Sequence, residues 1–162
     1  MSLYTFIKFL HILSAIIAIG FNFSYAVWTA RAKKAKEHTL FALKGIKALD
    51  DWLANPSYIL SLITGHIMVW MTGMNILKVS WLLYAEFTFA LMGIVGFGFY
   101  SPVLRKQIKT LQQQGIDSAA YKAVDKKQTR IGFTLFVLAL VLLVLMVFKP
   151  MWQSNSLALY SC

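Results

Sequence analysis

The stretch IGFTLFVLALVLLVLMVF, residues 131–148, contains no charged side chain and no alternation of apolar and polar positions. A membrane-spanning helix needs about 20 predominantly apolar residues, whereas the strands of a membrane β-barrel are shorter and alternate. Helices also satisfy their own backbone polar groups in lipid. Similar apolar stretches occur three more times, so the sequence predicts four membrane-spanning helices, at about 3–29, 56–77, 81–104 and 131–148.

The composition of the chain agrees with a small integral membrane protein. Of its 162 residues, 59% are hydrophobic and only 14% are charged. A soluble domain carries about 25% charged residues, and one of this size could not bury so much apolar surface. We therefore predict an all-α, four-transmembrane-helix bundle that forms a single domain over 1–162. The one cysteine, Cys162, excludes an intrachain disulfide and a CxxC motif.

The distribution of positive charge predicts the orientation of the bundle. Segments 31–50 and 105–130 hold six and seven of the 16 Lys and Arg residues. The positive-inside rule then places both long loops in the cytoplasm and both termini in the periplasm of a bacterial inner membrane. These basic segments could instead bind lipid phosphate or nucleic acid. Topology alone accounts for the charges, so we expect no nucleic-acid partner. Because 1–7 carries no Lys or Arg, we expect a retained first helix rather than a signal peptide.

Both basic loops are predicted to be partly helical. In the second loop, the Gln-rich segment ending in Gly at 112–115 predicts a break, and Ser118 predicts the cap of a following helix. Asp50 and Asp51 are expected to cap the N-terminus of the second span. In the first loop, apolar residues at helical spacing predict an interfacial amphipathic helix: Leu40, Leu43, Ile46 and Leu49.

Ionisable residues inside the spans are the main candidates for function, because charge in the membrane is costly. They are Lys8, His11, His66 and Glu86. At a rise of 1.5 Å per residue, His11 lies roughly 12 Å and His66 roughly 16 Å from the same membrane surface. Antiparallel neighbouring helices would place the two imidazoles on either side of a flat cofactor. This pattern favours haem b, with His11 and His66 as axial ligands of the iron.

The remaining candidates support this site in different ways. Gly93 and Gly96 would make room for a macrocycle or for a neighbouring helix, including that of a second copy in a homodimer. Lys8 would bind a haem propionate, or would extend outward and pair with an acid. Glu86 would admit a proton, or would belong to such an ion pair.

Two other interpretations of the histidines stay open. Each imidazole can be a buried structural group that is hydrogen-bonded to a Ser, Thr or carbonyl of a neighbouring helix. A copper site would recruit the methionines of the second helix, at Met68, Met71 and Met74. A closed zinc site is disfavoured, because it needs four Cys or His ligands.

The segment KFLHILSAIIAIG, 8–20, resembles the opening helix of a family of predicted bacterial integral membrane proteins of unknown function. The resemblance extends over nearly the whole chain through short motifs in a fixed order: Asp51-Trp52, Thr64-Gly65, Trp81-Leu82, Pro102 with Gln107, and Lys149-Pro150.

The Lys-x-x-His opening, Lys8 to His11, also resembles the copper-resistance D membrane proteins and the J-type protoporphyrinogen oxidases. The second resemblance implies that His11 binds haem. It carries over to Lys8 and His11 only, so Met68 or an open position stays an alternative to His66 as the second ligand. We expect a membrane redox protein, such as an oxidoreductase, that passes electrons between quinol or another donor and a partner protein.

Two further functions compete with the redox one. The first is a non-catalytic accessory or assembly subunit of a larger membrane complex. In that case the histidines should face polar neighbours, with no cavity between the helices. The second is a small transporter or metal-handling protein, which would need an aqueous path that four helices supply only in an oligomer.

Overall fold

The computed structural model describes residues 2–150, and its chain folds into four long helices. The first is α1, Leu3–Lys34. The second joins α2, Thr39–Leu49, to α3, Asn55–Thr72, through a π-helical turn at Asp50–Ala54. The third joins α4, Ser80–Val95, to α5, Ser101–Gln114, through a π-helical turn at Gly96–Tyr100. The fourth is α6, Ala119–Phe148. The predicted all-α, four-helix fold is confirmed.

The second basic loop behaves as its sequence predicts. Gly115 ends α5 with φ +78°, a left-handed conformation that glycine adopts without strain. The Ser118 hydroxyl then accepts a hydrogen bond of 3.2 Å from the Tyr121 N–H and caps α6. Gly73 ends α3 in the left-handed helical conformation, with φ +65° and ψ 14°. The predicted second span is therefore wrong at its end, because the helix stops at Thr72 instead of Leu77.

Three of the long helices in the described part of the chain are long and apolar enough to cross a membrane: Leu3–Lys34, Ser80–Gln114 and Ala119–Phe148. The helix that contains α3 is not among them, since polar residues such as Asn55, Ser61 and His66 lower its hydropathy. That helix packs along α1, so its polar side chains have a protein neighbour.

The long helices associate as two pairs. In one pair α1 packs against α3, and in the other α6 packs against α4 and α5. Helix α2 joins the pairs, because it contacts both α1 and α5 and buries Leu43 and Ile46. The prediction of an interfacial helix is therefore wrong for this face of α2, which packs against protein. Its Phe41, 73% exposed, points away from that core.

The two basic loops lie together at one end of the bundle, which we call the basic end. Lys36 Nζ lies 2.9 Å from Asp117 Oδ1, and Lys33 Nζ lies 3.4 Å from Asp125 Oδ2. Both pairs connect the first loop region to the second. At the opposite end, which we call the far end, Lys149 Nζ lies 5.4 Å from the centre of the Trp81 ring.

The two acids predicted to cap the second span lie instead inside a continuous helix. Asp50 and Asp51 occupy the π-helical turn between α2 and α3, so no free helix N-terminus exists for them to cap. The sequence predicted a cap here because the two acids directly precede the apolar stretch, and acidic residues are favourable at a helix N-terminus. Packing of α2 against α1 and α5 keeps the chain helical through this point.

Candidate functional site

A cavity of about 710 Å³ opens between the two helix pairs at the far end, and we call it the far cavity. Side chains of all four long helices line it, and most of them are apolar. It forms where α3 and α4, in the described chain, do not pack against each other. Its volume falls in the range of about 300–1,000 Å³ that is usual for small-molecule and cofactor sites.

The far cavity brings together the four ionisable residues that the sequence singled out. Lys8 and His11 come from α1, His66 from α3 and Glu86 from α4. Lys149, which follows α6, adds a second ammonium group to the lining. The sequence predicted the first four as intramembrane residues, and the two helix pairs place them around one space. Two lysines against one carboxylate favour a ligand that carries negative charge.

His11 is held by hydrogen bonds to α3. Its Nδ1 lies 2.9 Å from the carbonyl oxygen of Ser61 and 3.3 Å from the Thr64 hydroxyl. A carbonyl oxygen only accepts, so Nδ1 carries the proton and donates it. In a neutral imidazole the lone pair is then on Nε2. This is how metal-binding histidines are oriented by their second nitrogen.

Gly65 gives the His11 ring its position. A Cβ atom at residue 65 would lie 3.2 Å from His11 Cε1, closer than most side chains pack. The glycine thus lets the imidazole approach the backbone of α3. Thr64-Gly65 is one of the short motifs of the family resemblance, but the sequence indicates no role for either residue. Ser61 contributes a backbone carbonyl, for which the sequence contains no side-chain signal.

His66 lines the same cavity but has different hydrogen-bonding partners from His11. Its Nδ1 donates to the Leu62 carbonyl at 3.0 Å, within its own helix. Its Nε2 lies 3.5 Å from Glu86 Oε1, across the gap between α3 and α4. Because Nδ1 already holds a proton, a bond between Nε2 and Glu86 requires a second proton on one of them. The same nitrogen would have to leave Glu86 in order to bind a metal.

Gly93 and Gly96 do not lie with the histidines. They line a smaller cavity of about 50 Å³ nearer the basic end, which we call the inner cavity. A Cβ atom at either glycine would meet nothing within 4 Å, so neither is required for close helix packing. Of the three methionines considered for copper, Met68 and Met74 line the far cavity. Within 2–150, no cluster of three or more His, Cys, Asp or Glu residues is arranged to hold a metal ion.

Comparison with known proteins identifies a family. The family model described as "Predicted integral membrane protein (DUF2269)" matches residues 5–150, a range that contains every candidate site residue. No curated protein and no solved structure matches the chain. The family description agrees with the apolar composition and the long helices of the chain. Together these findings show a multi-pass integral membrane protein. The chain therefore belongs to the DUF2269 family of predicted integral membrane proteins.

Proposed function

We propose that this chain is a haem-b-binding redox protein of a bacterial inner membrane, with the far cavity as its cofactor site and His11 as the axial ligand. One observation carries the proposal: His11 lines a large apolar cavity with its proton held on Nδ1 by Ser61. Haem iron would supply one-electron transfer when bound.

The residues of the far cavity fit such a group. The Ser61 carbonyl fixes the tautomer that leaves Nε2 as the ligand atom, and Gly65 gives the ring space. Apolar walls exclude water, which suits a macrocycle. Lys8 and Lys149 supply positive charge for propionate groups. The resemblance of the Lys8–His11 motif to J-type protoporphyrinogen oxidases points to the same ligand.

His66 is the proposed second ligand, and it is the weaker of the two. Its Nε2 is paired with Glu86, so ligation would cost that contact. Loss of His66 should therefore leave the cofactor bound through His11 while changing the iron's second ligand. Met68 lines the same cavity and is the alternative.

The proposed orientation follows from the shared basic end. If the positive-inside rule holds, the basic loops face the cytoplasm and the far cavity opens toward the periplasm. Electrons would then be exchanged with a quinone or a redox partner protein at that side. Gly93 and Gly96 line the inner cavity, inside the bundle, so their position gives no support to a homodimer formed through these glycines.

An accessory or assembly subunit is the second candidate function. The observation in its favour is that His11 is hydrogen-bonded to Ser61 and Thr64, as a purely structural histidine would be. A purely structural role, however, does not explain the large cavity beside the His11 imidazole. The cavity was the feature that should separate the two functions, and its presence favours the cofactor site.

The test is the haem content per chain, measured as the pyridine haemochrome after purification from haem-replete cells. We expect stoichiometric haem in the wild type and in the His38→Ala control, since His38 is an exposed residue at the basic end. His11→Ala should lose haem while still inserting into the membrane. Equal haem content in the His11→Ala and control proteins would refute the ligand assignment.

A further inference from the structure

The inner cavity is a small space between the helices with a mainly apolar lining that includes several polar side chains. Its polar lining comes from three of the long helices: Asn22, Asp50, Asn55, Tyr58 and Tyr100. Its volume of about 50 Å³ exceeds the roughly 10–15 Å³ that a cavity needs to hold one water molecule. None of these polar residues lines the far cavity, where the histidines lie.

Both π-helical turns open onto this cavity. The first contributes Asp50, and the second contributes Gly96, Phe97 and Tyr100. Each turn directly precedes an X-Pro pair, Asn55-Pro56 or Ser101-Pro102. A helical proline cannot donate a hydrogen bond and crowds the preceding turn, which a wider turn relieves. Such turns occur frequently at functional sites.

Among residues 2–150, Asp50 is the only acid that lines the inner cavity, and it is 7% exposed. Its Oδ2 accepts a hydrogen bond of 3.3 Å from Asn55 Nδ2. Burial raises the pKa of the Asp50 carboxyl, and Asp51 raises it further, whereas Lys47, Asn55 and Arg105 oppose the shift. The titratable and charged groups around it come from all the neighbouring helices: Tyr25, Lys47, Asp51, Tyr58, Tyr100 and Arg105.

A second buried polar group belongs to Tyr25, which does not line the cavity but packs against a residue that does. Tyr25 is 5% exposed, and within the described chain its hydroxyl has no hydrogen-bond partner. Its ring stacks on Tyr100, with the ring centres 6.4 Å apart. Because buried polar groups are nearly always hydrogen-bonded, the unpaired Tyr25 hydroxyl indicates that a small polar partner such as water reaches this part of the bundle.

The polar residues form an ordered series between the basic end and the far cavity. Asp51 is exposed at the basic end and pairs with Lys47, and Asp50 lies buried directly before it in the chain. Deeper in the bundle, the Tyr58 hydroxyl accepts a hydrogen bond of 2.7 Å from Asn22. Phe89 lines both the inner and the far cavity, and its ring packs edge-on against Tyr58.

We propose that the inner cavity is a proton-binding site on a path from the basic end to the far cavity, with Asp50 as the group that takes up the proton and Phe89 as the barrier. The Asp50 carboxylate gains a proton from water at the basic end, which forms an O–H bond. That bond breaks when the proton passes to water in the cavity, and the carboxylate is restored. No electron moves in this step, so the proposal does not depend on haem.

Proton flux into proteoliposomes tests the path. The liposomes would contain a pH-sensitive dye, and a potassium gradient with valinomycin would drive proton entry. We expect Phe89→Ala, which joins the two cavities, to conduct protons well above protein-free liposomes. Adding Asp50→Asn should reduce that flux at least about tenfold, as for loss of a positioned acid. Adding Glu37→Gln instead is the matched control and should leave the flux unchanged, because Glu37 is an exposed acid of the basic end that lies outside this polar series.

Two results of the flux assay would overturn the path. One is a Phe89→Ala flux equal to that of protein-free liposomes, and the other is an Asp50→Asn change with no effect. If Phe89→Ala does not fold, infrared titration of the protein with Phe89 intact decides the site. There we expect the carbonyl band of a buried carboxylic acid, titrating above the ordinary aspartate range, present in Glu37→Gln and absent in Asp50→Asn.

The infrared titration also separates proton binding from metal binding. Replacing sodium by potassium in the buffer should leave the midpoint of the Asp50 band unchanged. A midpoint that moves with the sodium concentration would mean that the cavity binds a metal cation, and this would overturn the assignment. Absence of the band at every pH would overturn it too.

Discussion

At the scale of single residues, the environment of His11 explains why it is a better ligand candidate than His66. Both imidazoles hold a proton on Nδ1 through a backbone carbonyl, of Ser61 for His11 and of Leu62 for His66. Only His66 faces a carboxylate with its other nitrogen. The sequence predicted that both residues lie at similar depth, because helix rise is regular. It could not distinguish them, since the distinction depends on contacts between helices.

Gly65→Ala tests the positioning of His11. The added methyl group would lie 3.2 Å from Cε1 and should displace the imidazole from Ser61. We expect lower haem content or a shifted reduction potential, read from a redox titration of the bound pigment. Gly20→Ala on α1 is the control, because its Cβ would meet nothing within 4 Å. Identical potentials and haem contents in the two variants would contradict this role of Gly65.

Asp50→Asn should change how stability depends on pH. Burial raises the pKa of Asp50, so the folded protein favours the protonated carboxyl. The stability from this group is fully present below the ordinary aspartate pKa of 3.8 and is lost as pH rises through the higher folded value. We expect the Tm of the wild type to fall relative to Asp50→Asn as pH rises through that window, measured by thermal unfolding in detergent. Parallel curves would show that Asp50 titrates normally.

At the scale of secondary-structure elements, local signals and tertiary packing were predictable to different degrees. The break at Gly115 and the Ser118 cap were predicted because turn and cap chemistry depend on a few neighbouring residues. The cap predicted at Asp50 and Asp51 was wrong, because α2 packs between α1 and α5 and continues through the π-helical turn into α3. The π-helical turns were not foreseen, although the proline that follows each of them is a signal that could have found them.

Ser118→Ala tests the cap of α6. Removing the hydroxyl leaves the Tyr121 N–H without its acceptor, which should cost about 1 kcal/mol of unfolding free energy. Ser118→Asn keeps a capping oxygen and should retain most of the stability. Chemical unfolding followed by circular dichroism measures both. The prediction fails if the alanine and asparagine variants are equally stable.

At the scale of the whole molecule, the arrangement of two helix pairs produces the far cavity. The pairs are joined at the basic end through α2, and two salt bridges connect the loops there. At the far end α3 and α4 separate, and the space between them collects Lys8, His11, His66 and Glu86. Hydropathy accounts for three of the long helices, since lipid requires apolar helices, whereas the helix that contains α3 is less apolar and packs along α1. The pairing of helices depends on side-chain packing, which a single sequence does not specify.

The central claim is that the far cavity holds haem through His11, and the most direct test is an absorbance spectrum. The full chain would be purified in detergent from haem-replete cells and measured in air and then with dithionite. We expect a Soret band in the oxidised protein, sharp α and β bands after reduction, and loss of all three in His11→Ala. A colourless wild-type protein, or a pigment that survives His11→Ala, would contradict the claim.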